Sequence, residues 1–197
     1  MILRQYQETV VNEVLGGQTN DLIQLATGSG KTVIFCSIIQ KIIGNTLVLV
    51  HRDELLMQTC KMLSSLDVQY QPINAKIKQI NHNKTVFVSM VATLSSRLKK
   101  NPNYLQNIST IIIDEAHRSD FDKVIEHYQN ARKIGFTATP VRMKKTECLN
   151  DNYENLILGR DIHELIEDNF LVKDVNYALK LDPKEFAKLE TSTSLSS

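Results

Sequence analysis

Residues 21–43 read Asp-Leu-Ile-Gln-Leu-Ala-Thr-Gly-Ser-Gly-Lys-Thr-Val-Ile-Phe-Cys-Ser-Ile-Ile-Gln-Lys-Ile-Ile, and three patterns follow one another without a gap. Asp21 to Leu25 is a short apolar run of strand length. Thr27 to Lys31 carries two glycines in a five-residue turn, so successive backbone N–H groups can point the same way and cradle an anion. Thr32 to Ile43 continues with helical spacing, and the positive end of its dipole faces that turn. A Gly-rich turn between a strand and a helix is the context that makes Thr27-Gly28-Ser29-Gly30-Lys31-Thr32 a phosphate-binding loop. In it the Lys31 ammonium would meet the outer phosphates and the Thr32 hydroxyl would ligate Mg²⁺. The strict spacing asks for a further glycine at residue 25, where this chain has Leu25.

Working outward, Ile108 to Ile113 is a second apolar strand, and it runs straight into Asp114-Glu115-Ala116-His117. An apolar strand ending in two acids sets carboxylates at the carboxyl edge of a sheet, where open α/β sheets bind their ligands. Asp114 can hold Mg²⁺ there, and Glu115 can orient and deprotonate a water. Strand-like stretches are also expected at 46–50, 86–90, 133–137 and 175–181, with helices over 5–15, 53–65, 121–128 and 161–170. Strands alternating with helices predict a parallel sheet covered on both faces.

The bulk properties narrow the class. The chain has 197 residues, 42% of them hydrophobic, enough for one cored domain. No apolar run is long enough to span a bilayer, and no signal peptide is visible. Three cysteines without a Cys-x-x-Cys pair suggest neither zinc nor a disulfide framework and fit a reducing cytoplasm. Twenty-three basic against 22 acidic residues give +1, so any nucleic-acid contact must come from local groups.

Taken in order, these motifs resemble superfamily 2 helicases of the DEAD/DEAH-box kind, nearest the DEAH branch of repair helicases and restriction-enzyme motor subunits. Leu3-Arg4-Gln5-Tyr6-Gln7 is similar to that branch's adenine-recognition element, which implies that Arg4 and Gln7 meet the base. Residues 47–58 and 86–94 resemble motifs Ia and Ib. Arg52, Ser89 and Thr93 are then candidates for nucleic-acid phosphates, although Ser89 and Thr93 serve equally well as an N-cap and a helix residue. Thr137-Ala138-Thr139-Pro140 matches motif III, which implies that Thr137 and Thr139, with His117, couple nucleotide state to strand grip. The resemblance implies a RecA-like P-loop NTPase fold, ATP and Mg²⁺ as cofactors, DNA as partner with RNA not excluded, and Lys31, Asp114, Glu115 and His117 as catalytic residues.

Such motors hold ATP between two lobes, the second supplying an arginine through Q-x-x-G-R-x-x-R. Gly159-Arg160 is the nearest match, but Leu156 and His163 stand at the diagnostic positions, and a turn before the 161–170 helix suits it better. Residues 1–160 are therefore expected to be the first RecA-like domain, and 161–197 a helix and linker toward a second. The expected activity is ATP-driven movement on DNA by a monomer, poor in this chain alone. Alternatives are a duplex-DNA translocase subunit, a nucleotide-dependent binding module, and a P-loop kinase that would leave residues 3–7 and 137–140 unexplained.

Overall fold

In a computed structural model, residues 2–77, 79–140 and 151–173 are described. Their strands are β1 (Asp21–Gln24), β2 (Asn45–Val50), β3 (Tyr70–Ile73), β4 (Val86–Met90), β5 (Ile108–Asp114), β6 (Arg132–Thr137) and β7 (Asn155–Leu158). They form one sheet in the order β3-β4-β2-β5-β6-β1-β7, and every pair is parallel. All carboxyl ends therefore share one edge. The helices are α1 (Gln5–Gly16), α2 (Lys31–Lys41), α3 (Asp53–Ser65), α4 (Val91–Lys100), α5 (Asp122–His127) and α6 (Ile162–Glu167).

The central strands are apolar on both faces, as a doubly covered parallel sheet requires. Period-two alternation divides them all the same. Val48, Val50 and Ile112 join a core with Val11, Phe35 and Leu63 of α1, α2 and α3. Leu47, Leu49, Ile111 and Ile113 join the opposite core with Leu94 of α4 and Val124 of α5.

Two edge strands fall outside the expected set. β3 contains Pro72, which cannot donate to a ladder and is tolerated because β3 lies at the sheet's margin. β7 is four residues long, and its apolar run Leu156-Ile157-Leu158 is too short to stand out; only Ile157 of it is buried. The helix expected over 161–170 is shorter. Asp161 caps it, accepting from Glu164 N at 2.8 Å while Glu164 Oε2 accepts from Asp161 N at 2.9 Å. Asn169, at φ 59°, turns the chain out of the helix, and Phe170 N returns to Leu165 O at 2.8 Å. The 175–181 stretch and the basic run Arg142 to Lys145 lie outside the described residues. Among the described residues no helix is long and apolar enough to cross a membrane.

Candidate active site

The glycine turn follows β1 directly. Gly28 and Gly30 have φ of 82° and 83°, a left-handed conformation that a side chain would strain. A Cβ on Gly30 would also lie 2.7 Å from Gln7 Nε2. Gly30 is the N-cap of α2, so Lys31 and Thr32 open the helix, as the motif requires. Ser29 N closes the turn onto Ala26 O at 3.2 Å. The Lys31 ammonium donates to the carbonyls of Leu25 at 3.3 Å and Ala26 at 3.5 Å. Leu25 itself is fully buried and packs against Gly159, so a core side chain occupies the position of the extra glycine.

The amino terminus braces this loop. Tyr6 Oη donates to Ser29 O at 2.7 Å, and Gln7 Nε2 donates to the same carbonyl at 3.1 Å. Gln7 Oε1 accepts from Arg4 N at 3.1 Å. Arg4 lies over the Phe170 ring at 4.4 Å, and Phe170 sits 5.5 Å from Tyr6. Tyr6 and Phe170 were not singled out from sequence. Tyr6 lay inside the quoted pentapeptide, but Phe170 had no signal, because its proximity is purely tertiary.

Asp114 ends β5, separated from β1 by β6 alone. Asp114 is buried, 5% exposed. Burial pushes its pKa up to about 6; Glu115 adds to the rise, while the Lys31 charge and the Glu115 N–H draw it down. The Lys31 charge is thus within electrostatic reach of the acid that closes the triple-isoleucine strand. Glu115 has φ 58°, a rare setting for a non-glycine residue that turns the chain sharply after the metal-type acid. Ala116 N then bonds Phe136 O at 2.9 Å, tying this corner to β6. A Cβ on Gly135 would come within 2.8 Å of Ala116 Cβ, so this small pair lets the acidic corner lie flat on the sheet.

His117 reaches the end of β6. Its Nδ1 lies 2.9 Å from Thr137 Oγ1 and 3.5 Å from Glu115 Oε2. Thr137 Oγ1 also contacts Thr139 O at 2.9 Å and accepts from Thr139 N at 3.1 Å. A hydroxyl has one proton, and directing it to Thr139 O leaves His117 Nδ1–H to donate to Thr137. On the other side, Leu25 N donates to Thr137 O at 2.9 Å. Loop, acidic corner and the 137–139 turn are therefore joined by direct hydrogen bonds.

The candidate strand contacts are dispersed. Arg52 is exposed at the N-terminus of α3. Thr93 is partly exposed on α4. Ser89 has no exposed surface, and its hydroxyl is held within reach of the Ile73 and Met90 carbonyls inside the sheet. Arg160 pairs with Asp168 at 3.0 Å and Glu164 at 3.8 Å around its own helix, in keeping with a turn residue.

The residues present suit a magnesium nucleotide. Two glycines hold a left-handed turn that side chains would strain, Ser29 Oγ is buried without a hydrogen-bond partner among the described residues, and the Lys31 charge acts on one buried carboxylate. Among the described residues no group of three or more His, Cys, Asp or Glu side chains could hold a metal.

A parallel sheet with this loop and this acidic corner at its carboxyl edge defines a P-loop NTPase domain of the RecA-like fold. Residues 1–142 match the family model described as type III restriction enzyme, res subunit, and the chain belongs to that family. IRC3 of Saccharomyces cerevisiae, whose name classes it with the ATP-dependent helicases, is 30% identical across 92% of this chain. The chain spans 30% of that relative's length. Among solved structures, the Type ISP restriction-modification enzyme LlaGI, in complex with a DNA substrate mimic, superposes with a TM-score of 0.68 at 21% identity, covering 98% of this chain and 22% of that one. The Pyrococcus furiosus Hef helicase domain gives 0.66 at 24%, covering 79% and 37%.

Proposed function

We propose that this chain binds Mg-ATP at the carboxyl edge of its sheet and forms the ATP-hydrolysing lobe of a DNA helicase or translocase. The observation that carries the reading is the convergence of Lys31 and the Asp114–Glu115 corner on one edge, close enough for the lysine to shift the acid. When bound, Mg-ATP supplies the scissile anhydride and the metal that neutralises its charge. Gly28, Ser29 and Gly30 present backbone N–H groups to phosphate, and Lys31 adds a cation. Thr32 and Asp114 are the metal ligands. Glu115 aims a water and takes its proton, while His117 carries the state of that corner to Thr137 and Thr139. Arg4 and Gln7 are the base-side residues.

Movement on DNA needs a second RecA-like lobe that closes over this one and supplies an arginine. Relatives named for helicase and restriction activities support DNA as the partner. A duplex translocase is the second reading, favoured by the likeness to the DNA-bound restriction enzyme. A reducing cytoplasm suits Cys36 and Cys60, both buried free thiols. Titration of the chain with a fluorescent ATP analogue in magnesium tests the core of this. The native chain should bind with low affinity and turn over poorly, Lys31→Ala should abolish binding, and Glu115→Gln should retain it. Equal affinity in Lys31→Ala and the native chain defeats the assignment.

A further inference from the structure

The chain's net charge of +1 conceals a local departure. The α4 sequence, Val-Ala-Thr-Leu-Ser-Ser-Arg-Leu-Lys-Lys, holds three cations and no acid. Its apolar side, Val91, Leu94 and Leu98, is buried, which turns Ser95 and Lys99 toward α5. There a groove of about 620 Å³ runs between α4 and the short turn of 3-10 helix at Ser119–Phe121 that leads into α5. Ser95, Lys99, Arg118, Ser119 and Lys123 line it. Neither lysine has an ion-pair partner among the described residues. Arg97 is not part of this set, being engaged with Tyr104 Oη and the Asn74 carbonyl.

Two features say what the groove takes. First, α4 offers a hydroxyl and a cation in series. Ser95 and Lys99 stand one helical turn apart, about 5 to 6 Å, which is comparable to the step between successive phosphates on a strand. Second, the groove shares a wall with the acidic corner. Arg118 directly follows His117, and it also walls a second cavity, of about 490 Å³, with His51, Arg52, Glu115 and His117. Arg118 is at present occupied: Nε and Nη2 each donate to Asp120 at 3.0 Å, and the pair is 41% exposed on both sides. An exposed pair of this kind is held weakly. A phosphate, which matches the guanidinium fork as well as a carboxylate does, can take Asp120's place.

We propose that the groove between α4 and α5 binds the sugar-phosphate backbone of a nucleic-acid strand, with Lys99 and Lys123 as phosphate contacts and Arg118 as the junction to the Glu115 cavity. The ligand's being nucleic acid rests on the motor reading; the groove's anion chemistry does not. Asp120 is then an internal competitor for Arg118, and strand binding loosens its hold next to the catalytic corner.

Binding of fluorescein-labelled oligo(dT) to the 197-residue chain, followed by anisotropy across a salt series, tests this. Lys99→Glu with Lys123→Glu should weaken binding by on the order of tenfold at low salt and make the log–log salt slope shallower by about 2. Asp120→Asn should tighten binding, which a role confined to folding would not do. Lys41→Glu with Lys61→Glu makes the same change of charge away from the groove and should leave affinity near that of the native chain. Native-like affinity in the groove variant, or an equal loss in the remote one, overturns the proposal. Nucleotide titration on the same samples separates the two ideas, since failure of the native chain to bind nucleotide sinks the motor reading whether or not the groove holds its strand.

Discussion

His117 Nδ1 lies 2.9 Å from Thr137 Oγ1, joining the residue that closes the acidic corner to the one that ends β6. Thr137 is fully buried, and its carbonyl accepts from Leu25 N at the mouth of the phosphate loop. Removing the hydroxyl alone, in Thr137→Val, should leave the β6 ladder intact and free His117 from the 137–139 turn. A cost of about 1 to 2 kcal/mol is expected, the range for a lost hydrogen bond with a backbone partner left unpaired. Chemical denaturation measures it. In a motor with both lobes, the same change should leave nucleotide affinity in place and reduce stimulation by DNA.

Asp114 gives a pH signature with a definite sign. Its pKa rises from 3.8 to about 6 on folding. Between those values the folded chain holds a proton that the unfolded chain has released, so stability falls as pH rises through that window and the penalty is complete above about pH 6. Asp114→Asn should therefore stabilise the chain near neutrality, by on the order of 1 to 3 kcal/mol, and have little effect near pH 4. Thermal melts at the two pH values check this. Magnesium-dependent nucleotide binding should run the other way, weakening as pH drops below about 6, because a protonated Asp114 is a poor ligand.

At the opposite edge of the sheet, Arg132 binds buried Asp21 at 2.7 Å and donates to the carbonyls of Val14 at 2.7 Å and Thr19 at 2.9 Å. It ties α1, β1 and β6 together. Arg132→Met should cost about 3 to 5 kcal/mol by stranding a buried carboxylate. Pairing it with Asp21→Leu should recover most of the loss. A melting temperature for Arg132→Met within a degree or so of native would refute this account.

Gly135 is needed for space. A Cβ there would fall 2.5 Å from Tyr153 Oη and 2.8 Å from Ala116 Cβ. Gly135→Ala should cost about 1 to 3 kcal/mol through overpacking, and, because Ala116 would be pushed, nucleotide affinity should fall as well. Adding Tyr153→Leu should restore part of the stability and less of the affinity.

The sequence made the centre of the molecule legible and left its margins obscure. Runs such as 111–113 and 46–50 declare buried parallel strands because both faces are apolar, and a glycine turn between strand and helix has few other uses. β3 escaped because it lacks that double apolarity and Pro72 argues against a strand unless its place at the margin is known, and β7 because Leu156-Ile157-Leu158 is a short run whose two leucines are exposed. Residues 27–32 and 114–117 were found by local order. The Tyr6 and Gln7 bonds to Ser29, the packing of Phe170 on Arg4 and the room left by Gly135 are contacts between distant segments. Ser89 shows the converse: a hydroxyl at a motif position reads equally as a strand contact or a cap, and only the structure shows it buried and held near the Ile73 and Met90 carbonyls.

One consequence concerns Gln7. Its amide nitrogen holds the Ser29 carbonyl, and Gly30 has no Cβ at the point where one would strike that same nitrogen. A ligand acceptor that takes the N–H now on Ser29 must displace the carbonyl and let the turn relax, whereas the second N–H, directed to Tyr6 Oη at 3.4 Å, can be taken without doing so. Recognition at Gln7 through the first proton is thus linked to the shape of the turn. Substituting Gln7 removes a strut together with a reader, so selectivity among bases can be assigned to this residue only by varying the ligand's own base and leaving the protein unaltered.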